Sequence, residues 1–99
     1  MAGRSDLTSM VAKCEFPANV NEELLKAIDL ALSDEWDAAH RIVQQYEDTT
    51  AAWIHAVLHK IEGDLDNSRY WYRRAGKMEC VDREPLPELE TIKAAMSDR

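Results

Sequence analysis

Apolar residues recur at helical spacing along nearly the whole chain. Leu7, Met10, Val11 and Cys14 fall at i, i+3, i+4 and i+7 behind Ser5, a residue suited to an N-cap, and Pro17 closes this first predicted helix. Asn19 and Glu22 have capping-box spacing and open a second helix. Its face is Leu24, Ala27, Ile28 and Ala31, widened by Leu25 and Leu32 and interrupted by Ser33. Asp34 and Glu35 put negative charge at the start of a third, over about 34–46, with the stripe Trp36, Ala39, Ile42, Val43 and Tyr46. Thr49 or Thr50 caps a fourth carrying Ile54, Val57, Leu58 and Ile61, and Gly63 stands where a left-handed closing residue belongs. Asp64 or Asp66 starts a fifth, with Leu65, Ser68, Trp71, Tyr72, Ala75 and Met78 as its core side and Gly76 near its end. Residues 79–87 read as a loop, and Leu86, Leu89, Ile92 and Met96 make a weaker last helix before a polar tail.

Composition agrees with helices and excludes much else. The 99 residues hold 3 Gly and 3 Pro, with neither type between Pro17 and Gly63, so a β fold would lack its turn residues. One all-α domain over residues 1–99 follows, with five or six short helices in antiparallel hairpins and with 1–4 and 97–99 as disordered ends. Cys14 and Cys80 show no CxxC spacing and read as free thiols, not as a disulfide framework or zinc module. The first residues lack the apolar run of a signal peptide, and no run approaches a membrane span, which predicts a soluble cytoplasmic protein that does not engage membranes. A net charge of −7 disfavours nucleic acid as a partner.

A displacement of 29 residues aligns Leu24 with Trp53, Ala27 with Ala56, Glu35 with Asp64, Trp36 with Leu65, Ala39 with Ser68 and Val43 with Tyr72. Each unit is then helix, acidic turn, helix, with a small residue where the two cross. The run Glu62-Gly63-Asp64, Ser68 and Tyr70-Trp71-Tyr72-Arg73-Arg74-Ala75 resembles the second half of a tetratricopeptide or Sel1-type repeat. Asp64, Ser68, Tyr72 and Ala75 occupy the family's acidic, small, aromatic and closing-alanine places, while His59 takes a place usually aromatic. The block from Trp53 to Gly76 also resembles a group of small helical proteins without an assigned activity. These resemblances imply a tetratricopeptide-like fold of about two units and no particular chemistry.

No nucleophile, cofactor or metal motif of known mechanism is present, so the chain reads first as a binding protein with no cofactor, and the alternative is a small-ligand or metal-binding enzyme-like protein built on His55, His59 and Glu62. Two groups of residues stand out. His55, His59 and Glu62 share one side of the fourth helix, a workable ligand set for zinc or another transition metal, with His40 on the preceding helix as a further approach. The plainer alternative is that the two histidines pack against the fifth helix and hydrogen-bond a neighbour. On the fifth helix, Arg69, Tyr70, Arg73, Arg74 and Lys77 lie opposite the core side. Residues 60–77 carry about +2 while the rest of the chain carries about −9. Either Asp64, Asp66 and other acids pair with these arginines, or Tyr70, Arg73, Arg74 and Lys77, with the His55/His59 edge, hold an acidic protein or peptide partner or a second copy of the chain. The acids elsewhere, Glu88 among them, read as solvated surface.

Overall fold

The computed structural model describes residues 17–97, and among these every regular element is helical. Five α-helices follow in order: α1 (Pro17–Leu32), α2 (Trp36–Val43), α3 (Thr49–Glu62), α4 (Leu65–Ala75) and α5 (Pro85–Ser97). A 3-10 turn, Met78–Cys80, lies between the last two. The predicted helix through Leu7, Met10, Val11 and Cys14, together with Cys14 itself and residues 1–4 and 98–99, lies outside the described residues, whereas Ser97, expected in the disordered tail, is the last residue of α5. Helix α1 starts at Pro17, two residues before the capping-box position, in keeping with proline's fixed φ and missing N–H suiting a first helical turn.

The helix ends are set by local chemistry. Gly63 (φ +87°) and Gly76 (φ +71°) adopt the left-handed conformation after α3 and α4. The amide of the following residue reaches back to close the last turn, Asp64 N–H to His59 O at 2.9 Å and Lys77 N–H to Tyr72 O at 3.0 Å. Helix α1 closes in the same way, with Glu35 N–H donating to Leu30 O at 2.8 Å across Asp34, here a non-glycine residue at φ +68°. Asp64 caps α4, its carboxylate accepting from the Asn67 amide and side chain, and these bonds hold its pKa below the usual carboxylate value.

Consecutive helices pair across short connections: α1 packs on α2 and, most extensively, α3 on α4. Helix α3 also touches α1, α2 and α5, and residues around its whole circumference are buried, from Ala51 and Ala52 to Leu58. Small side chains permit the close crossing of α3 and α4, where the buried Ser68 hydroxyl donates to Ala56 O at 2.8 Å. Leu24, Ile28, Val43, Ile54, Leu58, Tyr72, Leu89 and Ile92 are fully buried in the core. Leu65 and Met78, expected on the core side of α4, are instead 52% and 41% exposed, Leu65 as the first residue of the helix and Met78 beyond its last. Helix α5 starts inside the predicted 79–87 loop, and Leu86 is 49% exposed. No helix among the described residues is long and apolar enough to cross a membrane.

Candidate functional site

Three histidines converge beside the α2–α3 contact. His55 and His59 project from one side of α3 at i, i+4, and the packing of α2 brings His40 to meet them. One ring nitrogen from each lies within 4.8 Å of the other two, and the Nε2 atoms of His40 and His55 are 3.0 Å apart. Two indoles bracket the group. The Trp36 ring lies parallel to His40 with centroids 4.7 Å apart, and the Trp71 ring lies parallel to His55 at 4.0 Å. Trp36 is itself fixed, its Nε1–H donating to Leu58 O at 2.7 Å. His59 stands parallel to His55 at 5.0 Å, and its Nδ1 is 3.0 Å from Glu62 Oε1.

Burial governs the titration of this group. His55 is 6% exposed, and loss of hydration, reinforced by His40 and His59, pushes its pKa down to about 3. The same desolvation, followed by the influence of His59, lowers His40, against opposing contributions from Glu62 and Asp37. Neutral imidazoles have lone pairs to offer. Among the described residues, the second ring nitrogen of buried His55 has no hydrogen-bond partner. The expectation that His55 and His59 pack against the fifth helix fits His55, which stacks on Trp71 of α4, and burial removes His55 from any outward-facing peptide edge.

The α4 residues opposite the core form a separate, outward face. Tyr70 and Arg73 are exposed, and Arg74 Nη1 donates to the Tyr70 hydroxyl at 3.0 Å. The Arg74 guanidinium also sits 5.2 Å from the Trp71 ring, and the Lys77 ammonium 4.5 Å from the Trp53 ring. The pairing expected with Asp64 and Asp66 does not form at these positions. Asp64 faces Asn67, and Asp66 reaches only Arg69, at 3.8 Å on exposed surface. Arg73, Arg74 and Lys77 make no ion pair among the described residues.

Sequence reasoning missed a third cluster. Glu88, read as solvated surface, is 1% exposed and lies at the centre of a polar knot between α3, α4 and α5. Its Oε1 accepts from Lys60 Nζ and from the Tyr72 hydroxyl, each at 2.8 Å; its Oε2 accepts from Trp53 Nε1 at 2.8 Å and is equally close to the same hydroxyl. Lys60 also donates towards the carbonyls of Cys80, Val81 and Arg83, at 3.2, 3.3 and 2.7 Å. Burial and the adjacent carboxylate drive the Tyr72 hydroxyl pKa upward. The knot fixes the 76–84 connection and α5 onto the α3–α4 pair, with its buried charges paired and bonded. Its signal was present in the sequence. Glu88 is four residues before Ile92 and adjacent to Leu89, so the buried side of α5 runs through 88, 89, 92 and 96, leaving Leu86 outside.

Comparison with protein-family models, curated proteins and solved structures gives no significant match for this chain.

Proposed function

We propose that the protein is a small helical binding module that holds an acidic segment of a protein partner on the exposed face of α4. Tyr70, Arg73, Arg74 and Lys77 are the contacting residues, with the rim of Trp71. One observation carries the reading: in a chain with seven excess negative charges, these three cations have no carboxylate partner among the described residues. A guanidinium without a carboxylate partner, held by a hydroxyl and lying over an indole, is pre-ordered for a carboxylate, which lowers the entropy cost of binding. The excess acid elsewhere repels a partner of the same sign and directs it to this face. The module works in the cytoplasm, and holding the partner on this face requires no reaction of its own.

A tetratricopeptide-like pairing of two units is part of the proposal. It is supported by the 29-residue correspondence of helix ends: Asp34 and Gly63 are both left-handed closing residues, and Glu35 and Asp64 are both N-caps. Ala27, Ala39, Ala56 and Ser68, all buried, are the small residues of the two crossings.

The experiment is fluorescence anisotropy of a labelled glutamate-rich peptide at low and at physiological salt, with sedimentation of the protein alone. Binding that weakens with salt and disappears in Arg73→Glu/Arg74→Glu, at an unchanged melting temperature, is the expected result. Wild-type affinity in that variant overturns the reading. Salt-sensitive dimerisation lost in the same variant assigns the face to a second copy of the chain instead.

A further inference from the structure

We propose that His40, His55 and His59 form a three-imidazole binding site for a divalent transition-metal ion of the zinc class. The ligands of this site lie on α2 and α3, and it meets the cationic face of α4 at the Trp71 ring.

The argument begins with geometry. Tetrahedral zinc with Zn–N bonds of roughly 2.0–2.1 Å places its ligand nitrogens about 3.4 Å apart. In the protein the three nitrogens already lie within 4.8 Å of one another, and the His40 and His55 Nε2 atoms, 3.0 Å apart, are close to that spacing. The ligands come from two helices, and an ion there ties α2 to α3.

The surroundings match what a metal requires of its ligands. The Glu62 carboxylate holds Nδ1 of His59, which leaves Nε2 for the ion, and a carboxylate behind a ligating histidine sets its orientation and raises its basicity. Trp36 and Trp71 fix the planes of His40 and His55 by parallel stacking. The burial of His55 adds to this, since its Nε2 faces the cluster and not solvent. His55, 94% removed from solvent, directs Nε2 at another imidazole nitrogen and leaves its other nitrogen without a partner among the described residues. An ion between His40 and His55 would replace the single hydrogen bond in which one Nε2 has to donate to the other.

The donor set selects the class of metal. Three imidazoles and no inner carboxylate favour zinc, cobalt, nickel or copper over magnesium or calcium, which take oxygen ligands. Three protein ligands leave the fourth position to water or an anion. The neighbouring trio of His59, Glu62 and Asp64 is a poorer candidate, because Asp64 already caps α4 and Glu62 is engaged by His59.

The test is equilibrium dialysis of the chelator-treated chain against Zn²⁺, with Co²⁺ absorption as a report of coordination geometry. The expected result is one Zn²⁺ per chain, an intense tetrahedral Co²⁺ spectrum and no uptake of Mg²⁺. His40→Ala removes a partly exposed ligand while leaving the packing of α3 in place, and it abolishes the Co²⁺ spectrum. Glu62→Gln, at an exposed position, weakens Zn²⁺ binding by about 10- to 100-fold. Arg73→Glu/Arg74→Glu binds Zn²⁺ as the wild type does, which separates this site from the α4 face. Absence of Zn²⁺ uptake by the wild-type chain, or wild-type affinity in both His40→Ala and Glu62→Gln, overturns the proposal.

Discussion

Two polar clusters are built against the same central helix, and they are completed to different degrees. Around Glu88, both carboxylate oxygens accept bonds from Lys60, Tyr72 and Trp53, and the ammonium of Lys60 is surrounded by acceptors. Around His55, the rings are ordered by stacking, but a buried nitrogen has no partner among the described residues. A buried polar group stabilises a fold only when its bonds are made, and it costs about 1–3 kcal/mol when they are not. The Glu88 knot is therefore part of what holds the helices together. The histidine cluster instead turns three imidazole nitrogens toward one another, and the unpartnered second nitrogen of His55 carries a cost in stability.

The largest effect that separates the two clusters is expected at Glu88. Glu88→Ala leaves the Lys60 charge in the interior without its carboxylate and is expected to lower stability by about 3–5 kcal/mol, read from denaturant unfolding. A loss below about 1 kcal/mol would show that the knot is not structural. Tyr72→Phe keeps the ring and deletes the hydroxyl shared by the two Glu88 oxygens, at an expected cost of about 1.5–3 kcal/mol in the same assay.

Mild acid probes chiefly the histidine cluster. The folded pKa of His55 is about 3, against about 6.5 in the unfolded chain, so between these values the unfolded chain binds the extra proton. Stability of the metal-free protein is then expected to fall as pH drops below about 6.5, by up to roughly 1.4 kcal/mol per pH unit for this one proton, with the lowered His40 adding in the same direction. The window down to about pH 4.5 reports mainly on histidines, since most carboxylates are still ionised there. A stability flat across that window would remove the electrostatic basis of the comparison. The smallest effect is expected from Trp36→Phe, which retains an aromatic ring against His40 but loses the bond to Leu58 O, at about 1 kcal/mol.

Local chemistry explains what was legible in advance. Gly63, Gly76 and Asp64 mark helix ends through conformations and caps that depend on a few neighbouring residues, and all three positions were readable. The left-handed Asp34 was not, because aspartate occupies that conformation much less often than glycine. His55, His59 and Glu62 were readable as a group because i, i+3 and i+4 spacing on one helix is a local fact. His40, Trp36 and Trp71 join them only through the packing of α2 and α4 on α3, which no short window contains. Glu88 was misread for a related reason. Its place in the first turn of a weak helix made it look like one more solvated acid at a helix start, whereas packing on α3 and α4 buries 88 and exposes 86.

The most direct measurement is a side-by-side unfolding titration of wild type, Glu88→Gln and His55→Leu, metal-free and with Zn²⁺. In the absence of metal, His55→Leu is expected to stay within about 1 kcal/mol of wild type, because an unpartnered buried nitrogen is removed, while Glu88→Gln loses about 2 kcal/mol or more. Zinc at 100 times its Kd is then expected to stabilise wild type and Glu88→Gln by about 2.7 kcal/mol and to leave His55→Leu unchanged. A His55→Leu variant as damaged as Glu88→Gln without metal, together with no zinc effect on the wild type, would contradict the account and make both clusters structural.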